Sequence, residues 1–116
     1  MPNCNELEIN GVMYVKMKVT TGDYFIVRTY SAGVFAGQIE SKSADSRKVV
    51  MRNARRLWKW AGAASLSQLA MEGVSKPQNC RFPCEVDRVE LTEVIEILDC
   101  TATARKSIAE VTIWKA

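Results

Sequence analysis

The sequence has no histidine in 116 residues. That excludes serine and cysteine triads built on a histidine base, histidine-ligated zinc and histidine pH switches. No apolar run approaches the roughly 18 residues of a membrane-spanning helix, so no membrane partner is expected. There is no G-x-G-x-x-G string and no Walker motif, hence no phosphate-binding loop of a known type. Internal repeats and low-complexity stretches are also missing. Charge of one sign does not dominate: 16 basic residues against 13 acidic leave a net +3, with a pI near 8.7. A dedicated nucleic-acid arm carries far denser positive charge, and nucleic acid is therefore not the expected partner. The polar, acidic start (Asn3, Cys4, Asn5, Glu6) lacks the basic and apolar segments of a secretory signal.

Four cysteines are present, Cys4, Cys80, Cys84 and Cys100. With no signal segment ahead of them they read as reduced thiols of a cytosolic protein. Cys80 and Cys84 are separated by three intervening residues, with no second pair and no histidine nearby, which is too few ligands for structural zinc. No metal and no cofactor is expected. Candidate carboxylates exist, but no combination specifies a reaction, so the sequence reads as that of a non-enzyme.

What is present is ordinary globular composition, 47% hydrophobic and 25% charged. The length suits one domain over residues 1–116, with 1–12 as an N-terminal extension. Residues 13–19 alternate Met13, Val15, Met17 and Val19 against Tyr14, Lys16 and Lys18, a strand pattern. Thr20, Thr21, Gly22 and Asp23 are turn chemistry. Residues 24–30 and 34–41 read as the next strands, rich in aromatic and β-branched side chains. Gly37 inside the second of these points to a bulge or a close backbone approach. Residues 48–52 form a fourth strand, and short turns favour an antiparallel meander. Residues 53–60 fit a strand or a helix equally.

Ser65 with Gln68 three residues on has capping-box spacing, and Gly73 is a stop, so 65–73 is a short helix. Residues 85–99 fit both periods; the β-branched run favours one long strand. Residues 101–110 read as a second short helix capped by Thr101 or Thr103, and 111–114 as a closing strand. The expected fold is α+β: an antiparallel sheet of five to six strands with two short helices on it.

Charge is segregated. Between 42 and 60 lie seven basic residues and one acid, a local +6; between 85 and 99 lie six acids and one base, a local −5. Neighbouring strands of opposite sign explain this most simply. Complementary surfaces of a homo-oligomer, or a basic stretch receiving an anion, explain it as well.

The most distinctive segment is Asn53-Ala54-Arg55-Arg56-Leu57-Trp58-Lys59-Trp60. Arginine presents a planar fork to phosphate or carboxylate, and tryptophan a flat face for a base. Arg28, Arg55, Arg56, Trp58, Trp60 and Arg105 are the candidate ligand-binding residues. Against this, Leu57, Trp58 and Trp60 fit a core equally well, with the cations on the wet side.

The string Phe25-Ile26-Val27-Arg28-Thr29-Tyr30-Ser31-Ala32-Gly33-Val34-Phe35-Ala36-Gly37, with 53–70, Cys80-Arg81-Phe82-Pro83 and Ile113-Trp114-Lys115, resembles a family of small uncharacterised proteins of tailed phages and prophages. The resemblance covers about residues 24–116. It implies a viral origin and a host bacterial cytoplasm, and assigns no functional residue. By analogy with other small phage proteins, the first expectation is an anti-defence factor. It would be a homo-oligomer that sequesters a phosphorylated nucleotide-type signal, of the cyclic nucleotide or cyclic ADP-ribose class. The second is an inhibitor that binds a host enzyme through an aromatic-basic surface; the third is a single-stranded nucleic-acid binder. A positive cavity lined by Arg28 or Arg55 and Arg56 distinguishes the first, and a flat aromatic patch the second.

Overall fold

The computed structural model describes residues 20–115. The strand expected at 13–19 lies outside them. The architecture is α+β: a five-stranded antiparallel sheet with two short helices. In chain order come β1 (Thr20–Thr29), β2 (Val34–Lys42), β3 (Val49–Arg56), α1 (Leu66–Glu72), β4 (Glu85–Leu91), β5 (Val94–Thr101) and α2 (Ala102–Ala109). The spatial order is β4-β3-β2-β1-β5. β1, β2 and β3 form the part of the expected meander that falls within the described residues; β4 pairs with β3 only after the excursion through α1.

Several sequence expectations change. Residues 20–23 are not a turn but the start of β1, where Gly22 at φ +75° absorbs an irregularity in the pairing with β5. Residues 53–60 extend β3 as far as Arg56 and then leave it. The single long strand at 85–99 is broken at Thr92 and Glu93 into β4 and β5. The closing strand at 111–114 is reduced to one parallel bridge between Phe82 and Ile113.

The break at Thr92 and Glu93 dictates the shape of the sheet. β4 and β5 occupy opposite edges, and in a flat sheet four strand spacings, about 19 Å, would separate them. Two intervening residues span at most about 11 Å between Leu91 and Val94. The sheet must therefore roll up at this end. Val94 donates its N–H to the Arg47 carbonyl at 3.0 Å, and Tyr30 donates to the Glu93 carbonyl at 2.9 Å, tying the two edges and the β2–β3 loop together.

The roll encloses one core, with Val27, Phe35, Val49, Met51, Ala54, Leu91 and Val94 buried on its inner face. The other face carries the second core, in which Tyr24, Ile26, Ala36 and Cys100 pack against Leu69 and Ala70 of α1 and Ala104 and Ile108 of α2. The helices begin where the sequence placed them. The Ser65 hydroxyl accepts from Gln68 N–H and the Thr101 hydroxyl from Ala104 N–H, each satisfying an orphan donor of the first turn. Gln68 Oε1 accepts from Ala64 N–H, one residue before the cap. No helix among the described residues is long and apolar enough to cross a membrane.

The charge segregation finds its simplest explanation in part. β3 and β4 are hydrogen-bonded neighbours, with Arg55 opposite Glu85 and Val50 opposite Glu90. Arg52 lies opposite Arg88, and Glu40 on β2 meets both guanidinium groups.

Candidate functional site

The structure disperses the candidate residues rather than gathering them. Alternation along β3 sends Arg55 and Arg56 to opposite faces. Arg55 faces the helices at 4% exposure. Its Nε donates to the Pro83 carbonyl at 2.8 Å, Nη1 to Ile108 at 2.8 Å, and Nη2 to Phe82 at 2.9 Å and Val111 at 2.7 Å. Four backbone carbonyls from two segments converge on one guanidinium, which acts as a brace. Burial pulls its pKa down, opposed by Tyr24 and Glu85.

Arg56 is exposed, stands 4.5 Å from the Phe35 ring centroid and donates to the Ala32 carbonyl at 2.8 Å. Arg28 is exposed and paired with Glu96 at 3.0 Å across β1 and β5. Trp60 is half-buried against the helix-side core. Arg105 lies on α2, 5.0 Å from the Tyr24 ring centroid and paired with Asp23 at 3.2 Å. Of the cavities described among these residues, one is lined by Arg105 and none by two of the candidates.

Trp58 is the candidate that stands on an open face, and it has companions the sequence did not single out. Three short segments lie side by side below the sheet. Lys59 and Arg81 exchange backbone hydrogen bonds at 3.3 and 2.7 Å, and Trp114 N–H donates to the Phe82 carbonyl at 3.0 Å. This pairing sets Trp58 and Trp114 in parallel, 5.2 Å between centroids and 2° between planes. The Arg81 guanidinium stands 5.5 Å from the Trp58 centroid and 5.6 Å from that of Trp114. Trp58 is 56% exposed, Ile113 49% and Trp114 36%. Arg81 is the cation placed against the aromatic pair, and Glu110 lies at the hollow beside it. A shallow hollow of about 440 Å³ runs beside it, lined by Pro77, Gln78, Cys80, Glu110, Thr112 and Trp114 among others.

Such a surface can take a flat ring on its exposed indole or an apolar side chain between Trp114 and Ile113. Arg81 and Trp114 stand in segments without helix or strand periodicity, so no periodic pattern links them to Trp58. The only sequence cue was their place in the strings Cys80-Arg81-Phe82-Pro83 and Ile113-Trp114-Lys115.

Two other concavities lie elsewhere. A wide groove of about 690 Å³ sits at the rolled corner, where Tyr30, Arg47, Glu93 and Ile95 line it. A smaller polar cavity of about 220 Å³ lies between β1, β3 and α2, lined by Tyr24, Gln38, Asn53, Glu85, Arg105 and Ala109. Burial pushes the Tyr24 hydroxyl up to about 12; Cys100 and Glu85 add to the shift, and Arg105 and Arg55 oppose it. Among the described residues no group of three or more cysteine, aspartate or glutamate side chains is placed to hold a metal ion.

No curated protein and no solved structure matches the chain. Residues 22–108, which span all of the sheet but its first two residues and nearly all of α2, match a family described as a domain of unknown function, DUF6948, and the chain belongs to that family.

Proposed function

We propose that this chain is a non-catalytic binding protein that docks a partner protein through the face carrying Trp58, Arg81, Ile113 and Trp114. The observation that carries this reading is the joint exposure of two stacked indoles, an isoleucine and a guanidinium on one open surface. Tryptophan and arginine dominate binding energy at protein interfaces. The Arg81 guanidinium at the edge of the two indoles favours a partner with an apolar pocket that carries a carboxylate at its rim. The phage-family resemblance supplies the setting: an anti-defence factor acting in a host bacterial cytoplasm on a host enzyme.

A second reading is favoured by the parallel indoles themselves. A nucleobase stacked on Trp58, with a phosphate near Arg81, gains about 1–3 kcal/mol, or roughly 5- to 150-fold in affinity. That would make the protein a sequestering agent for a phosphorylated nucleotide-type signal, with a homo-oligomer framing the site. It is the weaker reading because Arg28, Arg55 and Arg56 do not join this face.

One paired experiment separates them. A host protein captured on the immobilised chain is purified and its affinity measured for the wild type, Trp58→Ala and Arg81→Glu. Docking predicts a loss of about 30-fold or more for each variant. In parallel, calorimetry against cyclic dinucleotides, cyclic trinucleotides and cyclic ADP-ribose isomers predicts no heat. Micromolar nucleotide binding abolished by Trp58→Ala would establish the second reading instead. Unchanged affinity of both variants for partner and nucleotides alike would sink both.

A further inference from the structure

The polar cavity beside α2 contains a group the fold does not explain. Tyr24 is 5% exposed and belongs to the helix-side core, yet its hydroxyl has no hydrogen-bond partner among the described residues. Leaving a buried hydroxyl unsatisfied opposes folding, whereas a phenylalanine would fill the same place without that cost. Tyr24 lines the cavity in which Gln38, Asn53, Glu85 and Arg105 also meet.

The other groups are fixed in complementary ways. Asn53 Nδ2 donates to Gln38 Oε1 at 2.8 Å, which leaves the Gln38 amide N–H groups as donors and Asn53 Oδ1 as an acceptor. Asn53 is held at φ +50° inside β3, a sparsely populated conformation that sets its amide at the cavity wall. Arg105 lies over the Tyr24 ring and lines the cavity; its Nη1 donates to both Asp23 carboxylate oxygens at 3.3 and 3.2 Å, which leaves its other N–H groups as donors. Donors are therefore Tyr24, Gln38 and Arg105; acceptors are Glu85 and Asn53. A volume of about 220 Å³ falls below the range of about 300–1,000 Å³ that holds drug-sized ligands. A nucleoside phosphate is too large. A simple anion would meet the Glu85 carboxylate, and a simple cation would meet Arg105.

We infer that this cavity binds a small zwitterion of the free amino acid class, with its carboxylate on Tyr24, Gln38 and Arg105 and its ammonium on Glu85 and Asn53. The inference is independent of the tryptophan face, which shares none of these side chains. Tyr24 donates to the carboxylate, which gives its hydroxyl a partner that no described side chain supplies.

The test is calorimetry and amide NMR on the full chain, with glycine, alanine and aspartate as probes and acetate and methylammonium as single-charge controls. The expected result is binding of at least one amino acid, with both controls at least about tenfold weaker. Tyr24→Phe should weaken that binding about tenfold while leaving the melting temperature unchanged or raised, because no protein partner is lost. Glu85→Gln, at an exposed position, should weaken amino acid binding and leave acetate binding unchanged. The inference is overturned if no probe produces heat or shifts up to about 10 mM. It is also overturned if acetate binds as well as the amino acids, if Tyr24→Phe retains full affinity, or if Tyr24→Phe lowers the melting temperature by several degrees.

Discussion

Two adjacent arginines show how far side-chain direction outweighs residue type. In sequence Arg55 and Arg56 are equivalent cations beside a tryptophan. In the fold one is the most heavily hydrogen-bonded side chain of the interior and the other is a surface group lying on Phe35. Arg55→Met keeps the apolar stem but strands the carbonyls of Phe82, Pro83, Ile108 and Val111. The expected cost is about 3–5 kcal/mol, read as a shift in the urea midpoint. Arg55→Lys should recover only part of it, because one ammonium cannot match a planar fork aimed at four acceptors. Arg28→Ala breaks only the exposed pair with Glu96 and should cost less than about 1 kcal/mol. Equal effects at the two positions would show that Arg55 is not the brace the geometry makes it.

At the scale of elements, Gly37 fixes how β2 lies on β3. A Cβ at this position would stand 2.8 Å from the Ala54 Cα and 2.9 Å from the carbonyl oxygens of Arg52 and Asn53, all of them backbone atoms. The β2–β3 register shifts at this point, between the Ala36 and Gln38 pairs. Gly37→Ala therefore has no flexible neighbour to displace and should cost about 3 kcal/mol or more, with a lowered urea midpoint at unchanged slope. The corresponding change at Gly22, where nothing stands within 4 Å of the added Cβ, strains only the backbone and should cost less.

Gly37 was legible because a glycine inside an otherwise β-branched and aromatic run has few other uses. The helix starts were legible because Ser65 and Thr101 carry their own capping chemistry. The break at Thr92 and Glu93 was not. Neither residue is glycine or proline, and the break goes with the closure of the sheet, a non-local arrangement that no local pattern records. Likewise the aromatic face combines residues from positions 58, 81 and 114, brought together by isolated bridges rather than by a shared element.

At the scale of the molecule, residues 20–115 form a rolled sheet with a core on each face, and its stability has a built-in alkaline limit. Cys100 lies in the helix-side core at zero exposure; burial, reinforced by Asp99, pushes its thiol up to about 12. Tyr24 in the same core is raised to about 12, mainly by burial. Both groups are neutral in the folded state and ionise earlier in the unfolded chain. Their contribution is therefore fully present below their unfolded values, near pH 9 for the thiol and near pH 10 for the phenol, and is lost as pH rises toward 12. Each group then removes about 1.4 kcal/mol per pH unit across its window. The urea midpoint should hold steady up to about pH 9, fall from there, and fall more steeply above about pH 10. Cys100→Ala should be less stable at neutral pH through lost packing, yet its decline should begin about one unit later. Tyr24→Phe should remove the steeper second stage while keeping the first. A wild-type midpoint unchanged between pH 8 and about 11 would mean that neither group is shielded as the two-core arrangement requires.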